Sequence, residues 1–246
     1  MSILGTRVIR TEDPRLLTAG GVYVDDLRTP ELNGAARLTF VRSPLAHARI
    51  TGIDASEALA EPGVIAVLTF ADMDDLAPPP PSSGEWDGSP TPLGGPWAEP
   101  LLAIDTVRFV GEPVAVVITD GRYQGEDAAD LVTVDYDPLP VVLGPTAAVA
   151  DQTLLFPAAG TNVCVSQALS ADDTPFDACD VVVERDIVNQ RVACLPMEGR
   201  ATAASFENGK LTVWVSSQNA QISRFILVGR HAEGAGQDEP AHLRVL

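Results

Sequence analysis

The side chains here that could do chemistry are few: His47, His231 and His242, Cys164, Cys179 and Cys194, and acidic residues in pairs or turns. The histidines stand far apart in sequence, and no grouping of His, Cys and Asp has metal-ligand spacing, so no metal site is expected. His47 reads as a strand-surface residue. The cysteines are odd in number and lack a Cys-x-x-Cys pair, which points to reduced, mostly buried thiols rather than disulfides or zinc. Asp25-Asp26, Asp74-Asp75 and Asp172-Asp173 are adjacent, and neighbouring side chains diverge in extended chain. They read as solvated or capping residues, not as a catalytic carboxylate pair. Glu112, in Gly-Glu-Pro at a strand entry, reads as a turn residue. Gln218 follows a strand, and by itself reads as a polar strand-end residue capping the next helix. No nucleophile elbow, dinucleotide fingerprint or P-loop is present, so no catalytic residue is assigned to this chain.

Composition narrows the function classes. The chain has 246 residues, 46% of them hydrophobic, enough for one full domain and part of a second. The formal net charge of −18 opposes binding to a phosphate backbone, which needs clustered Lys and Arg, so no nucleic acid partner is expected. No apolar run approaches the roughly 20 residues that cross a bilayer, and the amino terminus lacks a basic region followed by an apolar one. The expectation is a soluble cytoplasmic protein with no membrane span.

Residues 1–18 alternate in charge without apolar periodicity and read as an extended arm. Leu32 to Val41 and Ala46 to Asp54 read as strands around Ser43-Pro44, Ser56 to Ala60 as a short helix, and Val64 to Thr69 as a buried strand. Residues 77–100 are dominated by Pro, Gly and Ser and read as a mobile surface loop, with Trp86 and Trp97 as its anchors. Val114 to Thr119, the Asp120-Gly121 turn, a helical repeat through Tyr123, Asp127 and Leu131, and Val132 to Tyr136 form one strand–helix–strand unit. Beyond a linker of little periodicity, Val181 to Val188 reads as a strand. Ala201 to Phe206 and Leu211 to Val215 flank Asn208-Gly209, a strong hairpin signal. Ile222 to His231 reads as a helix, and the segment from Leu243 as the start of a strand.

A set of short motifs runs through the chain in order. Upstream are Tyr23-Val24-Asp25-Asp26, Phe40-Val41-Arg42-Ser43-Pro44 and Ala46-His47-Ala48-Arg49-Ile50. Next come Arg108-Phe109-Val110-Gly111-Glu112-Pro113-Val114-Ala115 and Val134-Asp135-Tyr136-Asp137-Pro138-Leu139-Pro140. Downstream are Gly160-Thr161-Asn162, Pro196-Met197-Glu198 and Ser217-Gln218-Asn219. This set resembles the large subunit of the molybdenum hydroxylases, the family of xanthine dehydrogenase, aldehyde oxidase and carbon monoxide dehydrogenase, and is most like the carbon monoxide dehydrogenase type. The sequence departs from the family pattern at Ala220-Gln221, where Pro-His is common, and at Gly199-Arg200, where Pro-Arg is common.

The resemblance implies an α+β fold: an arm at 1–18, an α/β hammerhead domain at 19–138 with a mobile loop at 77–100, a linker at 139–160, and the incomplete start of a molybdopterin-binding domain at 161–246. It implies that Gln218 lies beside the cofactor, where in the family this glutamine hydrogen-bonds the apical oxo ligand of molybdenum. A neutral carboxamide can donate there without adding charge. In the family, oxygen derived from water is inserted into the substrate and electrons leave through two [2Fe-2S] clusters to FAD. Three isolated cysteines fall short of a cluster's four, so the iron–sulfur clusters belong on another chain, and the resemblance implies that FAD too is carried by a partner chain. The glycine-rich loop, most pterin contacts and the glutamate base lie in family segments beyond the match. The chain is therefore expected to be the amino-terminal portion of such a large subunit. Its expected partners are the remaining carboxyl-terminal part, the iron–sulfur subunit and the FAD subunit. No cofactor is expected to bind this chain alone. The alternatives are a non-catalytic interaction or assembly module, or an inactive truncated gene product. An incomplete second domain should expose Val181 to Val183, Leu211 to Val215 and the helix around Phe225.

Overall fold

The computed structural model describes residues 10–73, 97, 100–164, 176, 179–224, 227 and 242–245. In chain order its elements are α1 (Asp13–Thr18), β1 (Arg37–Arg42), β2 (Ala48–Asp54), α2 (Ser56–Ala60), β3 (Val64–Thr69), β4 (Thr106–Val107) and β5 (Pro113–Thr119). They continue with α3 (Arg122–Asp130), β6 (Thr133–Pro138), α4 (Pro145–Val149), β7 (Thr202–Glu207), β8 (Lys210–Val215) and β9 (His242–Val245). They fall into two compact units, one of residues 34–187 and one that joins residues 1–33 to 188–246.

Unit 34–187 is built on two antiparallel three-stranded sheets, ordered β1-β5-β3 and β4-β2-β6. β5 is central in the first, and its run PVAVVIT is apolar without alternation because both faces are covered: Val114, Ala115, Val116 and Val117 are all buried. On one face Ala115 and Val117 pack with Val41, Ala58, Ala128 and Val132, bringing α2 and α3 onto the sheet. On the other, Val114 packs with Ala48 and Val107 of the second sheet and with Ala103 in the chain before β4. Each buried valine contributes roughly 1.5–3 kcal/mol. α3 lies close to β1 at Gly125, where a Cβ would collide with the Thr39 hydroxyl and sit 3.2 Å from Thr39 Cβ.

The linker stretch keeps its lack of apolar periodicity and is ordered by polar side chains instead. Asn162 donates to the carbonyls of Ala148 (3.0 Å) and Thr153 (2.9 Å) and accepts from the Leu155 amide (3.0 Å). Asp151 accepts from the Thr161 hydroxyl and the Asn162 amide, both at 2.7 Å. Arg108 stacks on Phe156 at 4.7 Å and donates to the Leu155 carbonyl at 2.9 Å. Trp97 donates to the Thr161 carbonyl at 3.4 Å, an anchoring contact of the expected kind. The rest of the 77–100 loop, Trp86 included, lies outside the described residues except for Pro100.

The other unit begins with α1, followed by single 3-10 turns at Val24–Asp26 and Pro30–Leu32. β7 and β8 form an antiparallel hairpin, and β9 pairs parallel to β8 on its other side. Asn208 and Gly209 take φ of 52° and 73°, the left-handed pair that a two-residue hairpin turn requires. Val213 and Trp214 of β8 are buried.

Four expectations are corrected. The arm is not wholly extended, because Asp13 to Thr18 closes helical bonds with Pro at the start, where its missing N–H costs nothing. Residues 181–188 form no strand. β-Propensity needs a partner to act on, and none pairs with them among the described residues, so Val181, Val182 and Val183 are 78%, 58% and 76% exposed. Leu211 to Val215 is not an exposed face, since β7 and β9 flank it and its centre is buried. Finally, β1 starts at Arg37 rather than Leu32, because the turn at Pro30–Leu32 and Gly34 (φ 71°) occupies the intervening chain. Of the predicted 222–231 helix, residues 222–224 and 227 are helical and the remainder lies outside the described residues, Phe225 among them; the helical turn begins earlier, at residue 220.

Candidate functional site

Three of the sequence motifs converge in the unit that joins residues 1–33 to 188–246. Ser216, just past β8, is the connecting residue. Its amide donates to the Ala201 carbonyl (2.9 Å), while its hydroxyl accepts from the Ala201 amide (2.8 Å) and donates to the Gly199 carbonyl (2.9 Å). The Met197-Glu198 loop is thereby fixed beside the strand end that carries Ser217-Gln218-Asn219. A Glu198 carboxylate oxygen accepts the Val24 amide at 2.6 Å, and the Tyr23 hydroxyl lies 3.7 Å from the Met197 sulfur.

Gln218 is exposed, and its carboxamide makes no hydrogen bond to another described residue. The capping role belongs to Asn219, not to Gln218. Asn219 Oδ1 accepts the Ile222 amide at 3.0 Å, satisfying one of the free amides of the helical turn at 220–224. The Asn219 amide donates to Ser217 Oγ at 3.1 Å, which closes the backbone around Gln218. The carboxamide of Gln218 is thus held out from an ordered chain with both its donor and its acceptor unused by described neighbours. A neutral donor in that position can hydrogen-bond an oxo or anionic ligand. One amide by itself does not hold a cofactor.

The other candidates are dispersed and structural. His47 is buried rather than on a strand surface: it sits in the bend before β2, and its Nδ1 donates to the Pro140 carbonyl at 2.6 Å. Glu112 keeps its turn role. It is only 4% exposed, its carboxylate accepts the Arg108 amide and its carbonyl accepts the Ser43 amide at 2.9 Å. The nearby Tyr136 hydroxyl is buried without a partner at hydrogen-bonding geometry, and the Ser43 hydroxyl is committed to Leu45. Burial raises the Tyr136 pKa above its ordinary value, more than Ser43 lowers it, and the charge on Glu112 adds to the rise. Asp25 and Asp26 are exposed on the Val24–Asp26 turn. Asp74-Asp75, Asp172-Asp173 and His231 lie outside the described residues. Cys164, Cys179 and Cys194 are exposed, a correction to the buried thiols expected, since they fall in irregular segments rather than core strands. Among the described residues no group of His, Cys, Asp or Glu could hold a metal ion. Sequence reasoning did not single out Ser216. The only signal for it is its place at the end of the apolar β8 run.

Comparison with known proteins fixes the class to which this arrangement belongs. Residues 18–140 match the family model for the aldehyde oxidase and xanthine dehydrogenase a/b hammerhead domain, and residues 155–229 match that for the molybdopterin cofactor-binding domain. The chain belongs to the aldehyde oxidase and xanthine dehydrogenase family of molybdenum hydroxylases, with an α+β fold in which the hammerhead precedes the start of a molybdopterin-binding domain. It is 38% identical to the nicotine 6-hydroxylase large subunit of Paenarthrobacter nicotinovorans over 88% of its own length and 26% of that protein's. It is 34% identical to the carbon monoxide dehydrogenase large chain of Hydrogenophaga pseudoflava over 90% of this chain and 28% of that one. The crystal structure of quinoline 2-oxidoreductase from Pseudomonas putida 86 superposes with a TM-score of 0.80 at 34% identity, covering 99% of this chain and 30% of that one. The chain thus spans roughly a quarter to a third of the length of these relatives. Among the described residues no helix is long and apolar enough to cross a membrane.

Proposed function

We propose that this chain is the amino-terminal portion of the molybdopterin-binding large subunit of a cytoplasmic molybdenum hydroxylase, and that Gln218 faces the cofactor in the assembled enzyme. The observation that carries this reading is the exposed, unengaged carboxamide of Gln218 at a strand end braced by Ser216 and Asn219, inside the segment that matches the cofactor-binding family model. The bound group would supply the oxidative chemistry of hydroxylation. This chain's part is positional. Ser216 ties the strand end to the 199–201 backbone, Asn219 caps the following helical turn and bonds back to Ser217, and Gln218 presents an uncharged N–H donor. The remaining carboxyl-terminal part of the large subunit, an iron–sulfur subunit with two [2Fe-2S] clusters and an FAD subunit are the proposed partners. Two of its relatives are themselves a large subunit and a large chain, which fits such an assembly.

Co-expression with those partners tests the reading. A stoichiometric complex containing molybdenum by elemental analysis is expected, and the absence of both complex and molybdenum overturns it. Within that complex, Gln218→Ala should keep the molybdenum content while lowering turnover by roughly 10- to 100-fold, the range for a residue that supports a metal centre without ligating it. Unchanged turnover would remove Gln218 from the site.

A further inference from the structure

The contact between Glu198 and Val24 joins two segments that lie 174 positions apart in the sequence. The Val24–Asp26 turn starts from Tyr23, whose backbone is extended and whose side chain makes no capping bond. The Val24 amide, the first of the turn, has no acceptor within the turn, as at any helical start. Glu198, 174 residues away in sequence, supplies one at 2.6 Å, and the bond is charge-assisted. From Glu198 the chain runs straight into Gly199 and Ala201, which Ser216 clamps with three hydrogen bonds, and Gln218 is two residues beyond Ser216.

We propose that Glu198 is a positioning residue for Gln218: by capping the Val24 turn in trans it immobilises the 197–201 loop, and through Ser216 it sets the strand end from which Gln218 projects. The bearing on the cofactor rests on the Gln218 reading above, whereas the mechanical claim does not.

Amide hydrogen exchange on the intact chain, followed by mass spectrometry with fragment-level resolution, tests it without any cofactor. Glu198→Ala should speed exchange at Val24 by about tenfold, as for loss of one charge-assisted hydrogen bond, and also at Ser216 and Asn219. Exchange in β5 should stay unchanged. Glu198→Gln, which keeps an acceptor oxygen, should restore most of the protection at all three amides. Val24→Pro deletes the donor instead of the acceptor. Pro fits the first position of the turn and Tyr23 already has the extended backbone Pro demands, so this variant folds if the first does not and should loosen Ser216 and Asn219 alike. Unaltered protection at Ser216 and Asn219 in both donor and acceptor variants overturns the proposal, as does a Gln variant as loose as the Ala variant. Either result leaves the Gln218 reading to stand or fall on turnover in the assembled enzyme.

Discussion

At the scale of single residues, the buried polar groups of the hammerhead unit show where stability is won and lost. Glu112 is satisfied by backbone amides, while the Tyr136 hydroxyl beside it is buried without a partner. A lone buried hydroxyl is a cost that phenylalanine removes, so Tyr136→Phe should leave stability unchanged or raise it by about 1 kcal/mol, read as the midpoint of urea unfolding. The same substitution has a pH signature. Burial holds the Tyr136 pKa above 10, so the unfolded chain releases this proton at lower pH than the folded one. Stability is then intact below about pH 10 and falls as pH rises past it. Tyr136→Phe should flatten that alkaline decline, and an unchanged slope between pH 9 and 11 would contradict the assignment. Asp54 works in the other direction. Its carboxylate accepts the Ser56 amide at 2.9 Å, which lowers its pKa below the usual value of 3.8, so its contribution is present above that pH and fades on acidification. Asp54→Asn should flatten the acid limb of the same stability profile.

At the scale of elements, local signals were readable wherever one turn or one apolar run decided the outcome. α2 and β3 lie at the limits that the sequence predicts, and the Asn208-Gly209 turn closes its hairpin because both residues accept positive φ. What was hidden depends on partners distant in sequence. Val181 to Val188 carries strand propensity yet pairs with nothing described, and the burial of His47 follows from Pro140, far along the chain. Gln218 could be singled out only by resemblance. The Asn219 cap is a local pattern, but the roles of Ser216 and Glu198 exist only once the 196–201 loop meets β8 and the Val24 turn. Gly125 illustrates how packing outweighs propensity. Alanine is intrinsically better in a helix by about 1 kcal/mol, but here its Cβ would strike Thr39 across the α3–β1 contact. Gly125→Ala should therefore destabilise the unit, by about 1–3 kcal/mol in thermal unfolding, rather than stabilise it.

At the scale of the whole molecule, the stretch from Asp180 to Leu195 is irregular chain, in neither strand nor helix. Val181, Val183, Ile187, Val188, Val192 and Leu195 are exposed along it, an apolar content unusual for irregular chain in water. Trypsin should cut at Arg185 and Arg191 well before any site between β1 and β6, with fragments identified by mass spectrometry, whereas equal rates would mean that the stretch is covered in solution. In the assembled enzyme proposed above, the same bonds should become resistant.

The Val24–Glu198 contact has a further consequence, one of timing. The two residues are 174 positions apart. At roughly 5–20 residues per second of synthesis, the Val24 amide leaves the ribosome about 10–35 s before the carboxylate that caps it. The hammerhead unit, whose strands all lie between those two residues, is made in the interval and can fold while the amino-terminal segment waits. The unit that carries Gln218 thus closes after the hammerhead unit has been made, and it closes by capturing a segment that was made first.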